Sequence, residues 1–99
     1  MVTFITTVKF TQQGIKDIDH STKRAATFKS EAKKMGVKVK EMYWTLGDQD
    51  GLVILEAPND ETATAALLHL ATMGNVHTTT CRAFTAAEMD KIISKVHDG

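Results

Sequence analysis

Hydrophobic and polar positions along the chain switch period several times, and each switch marks an element. From Val2 to Phe10 the pattern alternates, with Phe4, Thr6, Val8 and Phe10 on one side and Thr3, Ile5, Thr7 and Lys9 on the other, the period-two signature of a strand. Thr11 is placed to cap a short helical turn through Ile15 and Ile18, and Ser21 or Thr22 to restart the helix after a break near His20. Ala25, Phe28, Ala32 and Met35 then recur at spacings of three and four, one apolar helical stripe, closed by Gly36 as a left-handed cap. Val37–Leu46 and Leu52–Ala57 read as strands joined through Gly47-Asp48-Gln49-Asp50-Gly51, whose Asp-Gly step suits a hairpin corner. Pro58 ends the third strand, and Asn59 or Asp60 opens a helix to about Met73 with Ala63, Ala66, Leu67 and Leu70 as its buried stripe. Gly74 stops that helix, Val76–Phe84 forms a threonine-rich fourth strand, and Thr85-Ala86-Ala87-Glu88 is a capping box for a last helix carrying Met89, Ile92 and Val96.

The order is βαββαβ plus a C-terminal helix. It predicts an α+β fold, ferredoxin-like, with a four-stranded antiparallel sheet and helices on one face, as a single domain over residues 1–99. Strand parity assigns Met42, Trp44, Leu46, Val53, Leu55, Ala57, Thr79, Cys81 and Ala83 to the face under the helices. The opposite face receives Tyr43, Thr45, Leu52, Ile54, Glu56, Thr78, Thr80 and Arg82, and a register slip of one residue exchanges the two sets. The second set is too apolar to be simply wet and too polar to be simply core, which suits a dimer interface enclosing a pocket.

Composition narrows the class. With 42% hydrophobic and 24% charged residues, the chain has enough apolar mass for a core, although 99 residues is close to the size at which a partner subunit helps. Ala63–Ala71 is its longest uncharged apolar stretch, far short of the roughly 20 residues of a membrane helix. The N-terminus has no basic region or cleavage site of an export signal, and Cys81 is the only cysteine, in keeping with a reducing, cytoplasmic setting. Net charge is zero but segregated: residues 23–40 carry +6 and residues 41–99 carry −6. This suits a solvated basic helix face more than a nucleic-acid site, which calls for a basic domain or a recognisable module.

The run Tyr43-Trp44-Thr45-Leu46-Gly47, then Asp50, Glu56-Ala57-Pro58, Gly74-Asn75-Val76, Thr78, Thr80 and Arg82-Ala83-Phe84-Thr85, resembles the small bacterial GYD domain family. The resemblance extends to Thr11-Gln12-Gln13-Gly14-Ile15 and so spans nearly the whole chain. Gln49 stands where the family carries its eponymous tyrosine, so no role of that tyrosine transfers. The resemblance implies an oligomeric ferredoxin-like domain similar to the dimeric α+β barrels, and it brings no particular activity with it.

No segment carries a complete catalytic or metal-binding motif, and no cofactor is expected. Asp48-Gln49-Asp50-Gly51 has the alternation of a calcium loop, but placing its aspartates at positions three and five puts Leu46 at position one and Ala57 at position twelve, where ligands are required. His77 and Cys81 stand roughly 13 Å apart along a strand, too far to share a metal. Cys81 is expected buried and inert, Trp44 to fill the core, and Arg82 to pair with Glu56. The leading expectation is a binding module that self-associates as a homodimer or higher oligomer. It would hold a small anionic metabolite through Tyr43, Thr45, Asp50, Glu56, Thr78, Thr80 and Arg82, because an arginine fork and hydroxyls suit a carboxylate or phosphate. The alternatives are a small cofactor-independent enzyme of the monooxygenase or isomerase type using Tyr43, His77, Glu56 and Arg82, and a structural or regulatory assembly domain. The fold does not choose among them.

Overall fold

In the computed structural model, which describes residues 1–97, the chain forms β1 (Val2–Phe10), α1 (Gln12–Lys16), a 3₁₀ turn at Ile18–His20, α2 (Ser21–Lys34), β2 (Lys38–Trp44), β3 (Gly51–Ala57), α3 (Asp60–Thr72), β4 (Val76–Ala83) and α4 (Ala86–Val96). The end of the predicted domain, Asp98 and Gly99, lies outside the described residues. The strands form one antiparallel sheet in the order β2-β3-β1-β4, the ferredoxin-like arrangement expected. No described helix is long and apolar enough to cross a membrane.

Local chemistry sets the boundaries. Thr11 caps α1 by accepting from the Gly14 N–H, Asn59 caps α3 through the Thr62 N–H, and Thr85 and Glu88 complete a reciprocal capping box on α4. Gly36 and Gly74 end α2 and α3 at φ values of +86° and +80°, backbone that side-chain-bearing residues rarely adopt. The helical interruption near His20 takes the form of the 3₁₀ turn.

The core lies between the sheet and α2 and α3. Phe28 and Ala32 of α2, and Ala63 and Ala66 of α3, cover Phe4, Val39, Val53, Leu55 and Ala57. Thr6 is fully buried among them and shares a 2.8 Å hydrogen bond with the Thr80 hydroxyl, which satisfies a group that is costly to bury alone. A register shift between Val39 and Glu41 reverses the parity of β2, so that Val39 before it and Met42 after it both face the helices.

Three expectations about side-chain direction are corrected. Thr6 pairs with Thr80, Val8 with Thr78 and Phe4 with Arg82, so Thr78, Thr80 and Arg82 lie on the helix side of the sheet. Thr79, Cys81 and Ala83 lie on the open side, and Cys81 is exposed, not buried. Leu46 falls in the turn after β2 and is fully exposed, and Trp44 is 48% exposed, so neither fills the core. α4 packs substantially on no other element and leaves Met89, Ile92, Ile93 and Val96 exposed; the molecule is 53 Å long against 31 and 18 Å in its other dimensions.

Candidate functional site

The predicted site residues separate into three places. On the open face, Tyr43 donates its hydroxyl to the Glu41 carboxylate at 3.1 Å. That bond to a carboxylate, and the adjacent negative charge, raise the phenol above its ordinary pKa of 10.0. Glu56, two strands from the β4 edge, stands 3.9 Å from the Lys40 ammonium, its partner in place of the predicted Arg82. Thr45 belongs to the β2–β3 turn, where its hydroxyl donates to the Gln49 carbonyl.

Thr78, Thr80 and Arg82 stay together, but on the other side, in a shallow cleft between β4 and α3 bounded also by Phe4, Ala63 and Leu67. Arg82 is already engaged there. Its guanidinium donates to the Ala83 carbonyl, reaches Glu88 at 3.7 Å and lies 4.6 Å from the Phe84 ring centroid, a cation–π distance. The structure therefore removes the predicted anion anchor from the open face. It also divides the alternative acid–base set, because Tyr43, Glu56 and His77 face one way and Arg82 the other. Among the described residues no three His, Cys, Asp or Glu side chains are grouped so as to hold a metal ion.

The third place is a cavity of about 430 Å³ under the helices, at the end of the sheet where β1 finishes and β3 begins. Val8, Phe10, Met42 and Val53 form its floor, Ala25 and Phe28 of α2 one wall, and Leu70 of α3 with Met73 just after it the other. Gly51 belongs to the floor opposite Trp44 and Val8, where a Cβ would stand 3.0 Å from the Tyr43 carbonyl oxygen and 3.5 Å from the Val8 Cβ. Polar groups line the margin and are paired. Asp50 accepts from the Phe10 N–H at 2.9 Å, Arg24 bonds the Asp17 carboxylate at 3.0 Å, His69 of α3 bonds Glu31 of α2, and the Trp44 indole N–H donates to the Ser21 hydroxyl at 3.0 Å. The hydrogen bond from His20, followed by the nearby His20 and Arg24 charges, holds Asp17 below its ordinary 3.8. Of the predicted site residues, Tyr43 and Asp50 are among those that border this cavity.

The parity of Val76, which pairs with Phe10 on the helix side, was the signal in the sequence for the direction of β4. Threonines at 78, 79 and 80 erase the contrast that usually shows it. No sequence pattern pointed to the cavity, because its width is the separation of two helices distant in the chain.

Comparisons with known proteins agree with this architecture. Over 90 residues the chain is 32% identical to a Thermus thermophilus protein named "Glutamine synthetase and cystathionine beta-lyase binding protein", covering 90% of this chain and 95% of that one. The solved structure of MtbAldR superposes with a TM-score of 0.61 at 14% identity, over 85% of this chain and about half, 52%, of that one, a likeness of fold. The GYD domain pattern matches residues 4–93, and with that span matched the chain belongs to the GYD domain family.

Proposed function

We propose that this chain is a small binding module that self-associates through its open sheet face and acts by holding other molecules. The observation that carries the reading is the uncovered apolar surface of that face, where Ile5, Leu52 and Ile54 are only partly buried, with Tyr43 and Cys81 exposed beside them. Four strands of about seven residues give roughly 23 by 19 Å, or about 440 Å² of sheet plane. Side-chain relief brings that projected area towards the roughly 800 Å² per partner of a stable interface. A second copy, presenting the same face about a two-fold axis, covers like with like.

The name of the Thermus relative supports a role exercised through binding to proteins, and the class of role, not its two named partners, is what we carry over. The exposed Cys81 thiol suits a compartment where thiols stay reduced, so a cytoplasmic setting belongs to the same proposal. A small anionic metabolite on the open face loses support, since Arg82 and two of its threonines face away.

Light scattering at micromolar concentration tests the assembly. The expected mass is at least twice the 10.9 kDa monomer, and Ile54→Lys should return it to the monomer with its circular dichroism intact. A wild-type mass of 10.9 kDa at those concentrations overturns the reading.

A further inference from the structure

The cavity between α2 and α3 has the volume of a ligand pocket, about 430 Å³ against the roughly 300–1,000 Å³ typical of such sites, and its interior is almost wholly hydrocarbon. Its charged neighbours, Lys23 apart, are accounted for within the protein. Arg24 is held by Asp17, His69 by Glu31, and the Asp50 carboxylate by a backbone N–H, while Lys23 is exposed at the margin. Among the described residues no buried side-chain polar atom lacks a partner. The interior thus offers a guest no unsatisfied buried side-chain donor, and the Asp50 carboxylate at its margin is already held by the Phe10 N–H. At the mouth the Ser21 hydroxyl accepts from Trp44 and keeps its own proton to donate. The C-terminal helix is no lid of its own chain, for it leaves from the end of β4 beside Thr3, the opposite end of the sheet.

We infer that this cavity binds a small uncharged ligand with a compact hydrocarbon body and a single hydrogen-bonding group, the body on Val8, Val53, Phe28 and Leu70 and the polar end at Ser21 and Trp44. Burying a carboxylate against such a lining costs far more than burying a hydroxyl, so charge on an otherwise identical ligand weakens binding. The inference goes beyond the self-association reading and is independent of it, because the cavity lies on the opposite side of the sheet from the proposed interface.

The matched pair 1-adamantanemethanol and 1-adamantanecarboxylate tests it, since both are ultraviolet-silent and differ in charge. Trp44 is the only tryptophan, so its emission reports on the cavity mouth. The alcohol should change that emission saturably, with a dissociation constant at least about tenfold below that of the carboxylate. On the wild-type protein, NMR methyl shifts should move at Val53 and Leu70 and stay still at Ile5 and Ile54. Ala25→Phe, which fills the wall, should abolish the response while the oligomeric mass stays that of wild type. No response to the alcohol at millimolar concentration, equal affinity for the carboxylate, shifts centred on Ile5 and Ile54, or a folded Ala25→Phe that still responds would each overturn the assignment. Should Ala25→Phe not fold, the wild-type methyl map decides alone. An unchanged oligomer with lost binding, or the converse, separates this site from the sheet-face reading.

Discussion

Replacing Gly14 by alanine sets helix propensity against packing. Alanine in place of glycine inside a helix is worth up to about 1 kcal/mol. At Gly14, however, a Cβ would lie 2.1 Å from the Asn75 carbonyl oxygen and 3.0 Å from its carbon, where contact distances run to about 3.5 Å. The Asn75 backbone must retreat by roughly 1 Å or more, and it retreats from a lock. The Thr11 N–H donates to the Asn75 carbonyl at 3.1 Å, the Thr11 hydroxyl to the Gly74 carbonyl at 2.7 Å, and the Gln13 amide to the Met73 carbonyl and the Asn75 side chain at 3.1 and 3.0 Å. Loss of the three of these bonds that Gly74 and Asn75 accept, at about 1 kcal/mol each, less the propensity gain, leaves a net destabilisation of about 2 kcal/mol. For a domain of this size that corresponds to a melting temperature lower by about 8–16 °C. Urea denaturation followed by Trp44 emission, at equal protein concentration because assembly adds to apparent stability, measures it. A Gly14→Ala protein as stable as wild type, or more so, would show that propensity outweighs the clash and refute the reasoning.

Asp50→Ala should cost about 1–3 kcal/mol by stranding the partly buried Phe10 N–H, whereas Asp50→Asn should retain most of the stability because its amide oxygen still accepts; equal losses in urea titrations would contradict the hydrogen-bond account. A double-mutant cycle on Arg82 and Glu88, both about one-third exposed, should return less than about 1 kcal/mol of coupling, and the cycle on Arg82 and Glu56 should return none. Substantial coupling in the second cycle would restore the pair expected from sequence. Hydrogen bonds from the Thr85 backbone, chiefly, hold the Glu88 carboxyl below its ordinary 4.5, so the capping box stabilises α4 fully above that value and loses its effect as pH falls through the lowered one. The Thr85 amide shift should titrate with a midpoint under 4.5 and lose that titration in Glu88→Gln; a midpoint at or above 4.5 would contradict it.

The order of elements, the strand and helix periods and the caps at Thr11, Asn59 and Thr85 were legible in the sequence, because each is decided among residues a few positions apart. A threonine side chain reaches an amide three residues on, and a glycine accepts positive φ, whatever the remainder of the chain does. The same local rules left only Val76 to orient β4, whose threonines occur at both parities; its direction was decided by cross-strand pairing with Thr6 and Phe4, more than seventy residues away. The shift in β2 likewise belongs to its register against β3. The direction of β4 alone separates Arg82 from Glu56 and puts Thr78, Thr80 and Arg82 on the other side of the sheet from Tyr43 and Glu56. The cavity and the unpartnered α4 lie further still from the linear pattern. One is the space left between α2 and α3 over a floor that includes Gly51, and the other is an apolar stripe whose period says that it will be covered and whose place in the fold leaves it open to a partner. Periodicity determines which side of an element is apolar, and only packing across long sequence separations decides what meets it.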